Sequence, residues 1–145
     1  MSFVDPAFAK GDQYSMDIDE IFALGVCPFC PGQMRWHQKP VIAELSGWII
    51  TESSHPYENA EHHFLIIGSR HITSFLEVTA KDWMSVRELA AGVIRDRSLA
   101  GGGLVVRFGV TRFTGATVQH LHFHLIVPEI DPDTDRAKTV NFPIG

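Results

Sequence analysis

Two groups of side chains in this sequence of 145 residues have types and spacings that could do chemistry. The first lies in Thr117-Val118-Gln119-His120-Leu121-His122-Phe123-His124-Leu125-Ile126-Val127, where three histidines alternate with apolar residues. Successive strand side chains point to opposite faces, so a strand here puts Leu121, Phe123 and Leu125 on a core face. Three imidazoles about 6.5–7 Å apart then share the other. That face admits three readings. It is a solvated face rich in histidine, a metal site made by the triplet itself, or a catalytic face on which one imidazole attacks while its neighbours orient it and bind an anion. Imidazole suits the last role because its ordinary pKa of about 6.5 leaves a free nitrogen lone pair at neutral pH. A phosphorus centre with negative oxygens would need N–H donors around it.

The second group is Cys27-Pro28-Phe29-Cys30. A redox pair would want this motif to open a helix after a strand, whereas here it follows a short helix and is trailed by Pro31-Gly32. Two incidental thiols are a second reading. A structural zinc knuckle fits best, because Cys-x-x-Cys lets both thiolates approach one tetrahedral ion, which then requires two more ligands. His37 is one candidate for them.

The elements that must position these groups can be read from periodicity and punctuation. Residues 1–16 read as a loosely held arm, and Asp17 to Gly25 as a short helix with acidic residues in its first turn and Gly25 closing it. Val41 to Leu45 and Trp48 to Thr51 flank Ser46-Gly47, a two-residue hairpin signal. His63 to Ile67 predicts a third strand, reached through a loop containing His55-Pro56-Tyr57. Thr79 caps the one long helix with Asp82 at its third position, and Trp83, Val86, Ala90, Val93 and Ile94 recur at helical spacing. Gly101-Gly102-Gly103 stops that helix, Leu104 to Phe108 is a fourth strand, and His120 to Val127 a fifth. The expected architecture is α+β, a five-stranded antiparallel sheet with one long and one short helix. The chain divides into an arm (1–16), a domain (17–128) and a surface tail (129–145).

Composition narrows the function. Apolar residues make up 45% and charged residues 20%, an ordinary globular balance. A net charge of −5 argues against nucleic acid or an anionic membrane as partner. No apolar run spans a bilayer, and the N-terminus shows no export signal, so the expected location is the cytoplasm.

His120-Leu121-His122-Phe123-His124-Leu125-Ile126 matches His-Φ-His-Φ-His-Φ-Φ (Φ apolar), the motif of the histidine triad (HIT) family, at every position. His63-Phe64-Leu65-Ile66-Ile67, Arg70-His71-Ile72 and the helix after them also resemble that family, so the likeness runs from about Cys27 to Pro128. The resemblance implies a homodimeric nucleotide-binding enzyme in which the middle histidine attacks the α-phosphate of a nucleotide. The covalent nucleotidyl-histidine is then resolved by water. By this carry-over His122 is the nucleophile, His124 contacts the phosphate, Thr117 donates a hydroxyl, and Gly115 lets the backbone come close. His63 matches a further active-site histidine, and Ser53 lies near where the ribose is met. The resemblance also supplies His71 and His120 as the two remaining ligands of a structural zinc with Cys27 and Cys30. Ala116 and Arg107 depart from the Gln and Asn usual in the dinucleotide-hydrolase branch, which leaves the substrate open. His124, where transferase and phosphorylase branches carry Gln, favours a hydrolase, either a nucleoside phosphoramidase or a dinucleoside polyphosphate hydrolase. The alternatives are a nucleotidyl transferase and a non-catalytic, zinc-stabilised nucleotide-binding module.

Overall fold

A computed structural model of the chain describes residues 2–9 and 11–145. Its centre is the expected five-stranded antiparallel sheet, made of β1 (Val41–Leu45), β2 (Trp48–Glu52), β3 (Ala60–Gly68), β4 (Gly103–Val106) and β5 (His122–Pro128), in the order β1-β2-β3-β5-β4. The β1–β2 turn puts Ser46 and Gly47 both at positive φ (50° and 79°). That is the type I′ twist a two-residue hairpin favours.

Alternation divides the sheet into two faces. Trp48, Ile50, Phe64, Ile66, Phe123 and Leu125 point to one side, where Val86, Leu89, Ala90 and Val93 of the long helix α2 (Ala80–Asp96) pack on them. Two residues of the expected helical stripe, Trp83 and Ile94, sit at its rim and are 40% and 39% exposed, while Leu89 takes their place in the core. The helix starts as expected: Thr79 Oγ1 accepts from the Asp82 amide (3.1 Å) and the Asp82 carboxylate accepts from the Thr79 amide (2.8 Å). Buried Asp82 also accepts from Trp48 Nε1–H (3.0 Å) and pairs with Arg70, which fastens α2 to the sheet.

The histidine face is covered by a second cluster, Val4, Ile18, Ile21 and Val118. Here the structure departs from the sequence reading. Helix α1 spans Asp12–Leu24 and begins after Gly11 at φ +86°, so it is not short and its first-turn acid is Asp12 rather than Asp17. Residues 3–5 are not a loose arm. The Asp5 amide donates to the Thr117 carbonyl (2.8 Å) and the Gln119 amide to the Phe3 carbonyl (2.7 Å), with Val4 opposite Val118. Because residues 117–119 pair with that segment, and Leu121 N–H donates to the Ile72 carbonyl (2.8 Å), β5 begins at His122 and not at His120. A third helix, α3 (Thr111–Thr114), was not expected. The tail forms a small hairpin, β6 (Ile130–Asp131) with β7 (Arg136–Ala137), and then returns over the histidine face. Among the described residues, no helix is long and apolar enough to cross a membrane.

Candidate functional site

Registered neighbours on an antiparallel sheet share a face. Leu65 pairs with His124, Ile67 with His122, and His63 with Ile126. His63, His122 and His124 therefore line one floor, with the His122 and His124 rings 4.8 Å apart. Their hydrogen bonds fix their tautomers. His122 Nδ1 lies 2.6 Å from the His120 carbonyl, which can only accept, so Nδ1 carries the proton and Nε2 keeps a free lone pair. The Tyr57 amide donates to His63 Nδ1 (3.2 Å), which leaves the His63 proton on Nε2. That Nε2–H donates to His124 Nδ1 at 2.9 Å, so His124 carries its own proton on Nε2. One imidazole thus offers a lone pair and its neighbour an N–H.

Neutral rings are required for this pattern, and the surroundings keep them so. Burial pushes His122 down to about 4; its bond to the His120 carbonyl opposes this, and the positive charge of Arg107 adds to it. His63 is likewise lowered to about 4, by burial and then by Arg107. Burial takes His124 well below the ordinary imidazole value, helped by the neighbouring histidines and Arg107. All three are uncharged at neutral pH.

Above this floor lies a cavity of about 580 Å³, within the range of small-molecule sites. It crosses the sheet from the β2 side to the β4 side. Ile18, Ile21, Phe29, Trp36 and Leu65 supply an apolar wall, and Phe29 meets the His122 ring edge-on at 4.9 Å. Tyr57, Arg107, Asn141 and Pro143 line a polar side. Ser53, Gly115 and Thr117 all border the cavity as well. The Ser53 hydroxyl accepts from the His55 amide (3.2 Å), and the Thr117 hydroxyl donates to the Phe8 carbonyl (3.2 Å). Gly115 has φ +66°, and a Cβ there would come within 2.6 Å of the Gly145 carbonyl oxygen.

Cys27, Cys30, His71 and His120 converge where the chain leads into β5. Their donor atoms all lie within 4.8 Å of one another. Cys27 Sγ is 3.4 Å from His120 Nδ1, Cys30 Sγ 3.4 Å from His71 Nδ1 and 3.6 Å from His120 Nδ1, and the two Nδ1 atoms are 3.2 Å apart. A tetrahedral zinc with its usual bond lengths has ligand–ligand edges of about 3.3–3.8 Å, so the donor set and its spacing fit that ion. The His120 Nε2–H donates to the Gly68 carbonyl (2.7 Å), which aims Nδ1 inward. Burial pushes the Cys27 thiol up to about 12, and coordination to an ion would displace its proton. His37 is elsewhere, bonded to the hydroxyls of Thr51 (2.7 Å) and Ser54 (3.2 Å).

Sequence reasoning did not find the groups that close the polar side. The Phe142 ring meets His124 edge-on (4.9 Å) and lies 3.8 Å from the Arg107 guanidinium, and the Tyr57 ring stacks on His124 (5.9 Å). No local pattern marks them, because the contacts join segments far apart in sequence.

The model of the scavenger mRNA decapping enzyme C-terminal binding family matches residues 26–139. That span leaves out α1 and residues 140–145. Among curated proteins none matches the chain. Among solved structures, a HIT family hydrolase from Clostridium thermocellum is 29% identical, covering 73% of this chain and 92% of that one with a TM-score of 0.55. A HIT family hydrolase from Legionella pneumophila is 23% identical, covering 74% and 97% with a TM-score of 0.55. The histidine triad nucleotide-binding protein of Candida albicans is 19% identical, covering 83% and 85% with a TM-score of 0.61. The likeness to these last two is one of fold.

Proposed function

The chain belongs to the histidine triad family, and we propose that it is a nucleotide-binding hydrolase that cleaves conjugates at the α-phosphate through a nucleotidyl group carried on His122. The observation that carries this reading is the bond from His122 Nδ1–H to the His120 carbonyl, which leaves Nε2 as a lone pair on the cavity floor. In this mechanism the nucleoside lies against the apolar wall and the α-phosphate sits over the histidines. Nε2 attacks phosphorus in line with the leaving group. As the P–N bond forms, the bond from phosphorus to the leaving group breaks, and that group departs with the electron pair, an amine taking a proton from solvent. The Nε2–H of His124 stabilises a non-bridging oxygen as charge develops, and His63 holds His124 in the tautomer that can donate. The backbone at Gly115 and the hydroxyl of Thr117, turned from Phe8, contact the phosphate, and Ser53 meets the ribose. Water then breaks the P–N bond, releasing a nucleoside monophosphate and the neutral imidazole.

Cys27, Cys30, His71 and His120 would hold a structural zinc in this reading. The ion supplies a cross-link that fixes the backbone entering His122. A cytoplasmic homodimer completes the proposal. The open edge of β4, with exposed Trp83 and Phe108 both packed on Phe75 beside it, supports a self-association surface.

The test is turnover by the purified protein of adenosine 5′-phosphoramidate and diadenosine polyphosphates. Hydrolysis of either class to AMP supports the reading. Products that appear only when an acceptor is added favour the transferase. Binding of AMP with no turnover of any conjugate favours the binding module.

A further inference from the structure

Arg107 follows β4 directly. Val106 pairs with Phe123, so the next residue comes to the same face as His122. Among the described residues lining the cavity it is the one with a permanent positive charge, while Asp17 and Glu58 are the acidic ones. Its guanidinium has no carboxylate partner there. Both Nε–H and Nη2–H donate to one backbone oxygen, the Pro143 carbonyl, at 2.9 and 2.6 Å, and Nη1–H donates to the Tyr57 hydroxyl at 3.2 Å. Phe142 lies against the flat of the fork, 3.8 Å from its carbon. A planar fork held on an aromatic face and aimed at a single oxygen is the arrangement that suits a phosphate or carboxylate oxygen. A neutral carbonyl takes that place here.

Position gives the fork its role. Strand order β2-β3-β5-β4 and a spacing of about 4.8 Å between neighbours put Arg107 roughly 14 Å across the sheet from the β2 side. Leu65 of β3 pairs with Thr51 of β2, and Trp36 adjoins His37, which bonds Thr51 (2.7 Å), so this part of the apolar wall lies towards that far side with the histidines between. A nucleoside against the wall and an α-phosphate over His122 leave the leaving group pointing at Arg107.

We propose that Arg107 is a specificity-determining residue whose fork binds a phosphate of the leaving group, so that the enzyme prefers nucleotides whose α-phosphorus is joined to a further phosphate over conjugates with a neutral leaving group. This rests on the reading that His122 attacks the α-phosphate. In the step concerned, the Nε2 lone pair forms the P–N bond and the bond from phosphorus to the bridging oxygen breaks. The electron pair stays on that oxygen, so the departing phosphate gains one negative charge. Arg107 stays protonated and opposes that charge. The leaving-group oxygen replaces the Pro143 carbonyl on the fork, and the segment from Thr139 to Gly145 gives way.

Parent, Arg107→Gln and Arg107→Lys proteins of equal melting temperature are compared on diadenosine triphosphate, which releases ADP, and adenosine 5′-phosphoramidate, which releases ammonia. Titration calorimetry compares ADP with AMP for each protein. The expected result is a fall of about tenfold or more in the ratio of kcat/KM for the triphosphate over the phosphoramidate in Arg107→Gln, with partial recovery in Arg107→Lys. The tighter binding of ADP over AMP should vanish in parallel. An equal loss on both substrates, or an unchanged ratio with an unchanged ADP preference, overturns the assignment while the hydrolase reading stands. A parent that prefers ADP through Arg107 but turns over no conjugate contradicts the hydrolase reading and the leaving-group role with it, and leaves Arg107 only as a ligand for a second phosphate.

Discussion

Replacing Cys30 by serine should cost this protein about 4–5 kcal/mol of stability if a zinc ion ties the knuckle to the catalytic strand. The size follows from what the ion would join. Cys30 meets His71 across 41 positions of the chain and Cys27 meets His120 across 93. Closing loops of that length restricts the unfolded chain by about 4–5 kcal/mol in the chain-entropy account of cross-links. A chain of this size loses roughly 2–4 °C of melting temperature per kcal/mol, so Cys30→Ser should melt about 8–20 °C below the parent. The same shift should follow removal of the metal from the parent by a strong chelator, and the chelator should do little to Cys30→Ser. Thermal melts followed by circular dichroism give the shift. Elemental analysis of protein purified without added metal should give about one zinc per chain, as four ligands and one ion require. A parent that carries no metal, or a Cys30→Ser protein that melts within a degree or two of it, would refute the cross-link.

The pH dependence of activity has a definite sign. With His122 held at about 4, its lone pair is free at every higher pH, so kcat/KM should show no imidazole inflection near pH 6.5 and should fall only as pH drops through about 4; an inflection at 6.5 would contradict the buried neutral nucleophile. Asp82→Asn should lower stability at pH 7 by about 2 kcal/mol. Its carboxyl is brought from an ordinary 3.8 to about 2, burial being outweighed by hydrogen bonds from Thr79, Trp48 and Arg70. Because a depressed carboxyl stabilises the fold only above its unfolded pKa, the difference in urea unfolding between parent and variant should close as pH falls from about 4 towards 2.

What the sequence reveals here is what is local. The alternation from His120 to Val127 marks a strand with one apolar and one histidine face, and Thr79 with Asp82 marks the start of α2, because both signals lie within a few residues. The start of α1 is misread for the same reason: Asp17, Asp19 and Glu20 look like a first turn, but the break is Gly11 at φ +86°, and the added turn is held by Tyr14 packing on the second core cluster. The onset of β5 depends on backbone bonds from residues 3–5 to residues 117–119, and periodicity carries no trace of them. Spacing alone could offer Cys27 and Cys30 as one half of a metal site. The other half came from resemblance, and the fold brings His71 and His120 to them. Arg107 on the Pro143 carbonyl, and Phe142 on His124, are contacts across 36 and 18 positions that no helical or strand period encodes.

A covalent bond from phosphorus to His122 Nε2 can be looked for directly. The protein is mixed for milliseconds to seconds with a reactive adenylate, quenched in base, digested and examined by mass spectrometry. A phosphoramidate survives base and is lost in acid, which separates it from an ester on Thr117 or Ser53. An added adenylyl group is expected on the peptide carrying His122, located on that residue, abolished in His122→Ala and released as AMP on acidification. His122→Ala should keep the parent's melting temperature, since Leu121 and Phe123 still fill the core beneath it, and should lose several orders of magnitude in turnover. An adenylyl group found on another residue, or a His122→Ala protein that hydrolyses every substrate at the parent's rate, would contradict that covalent bond.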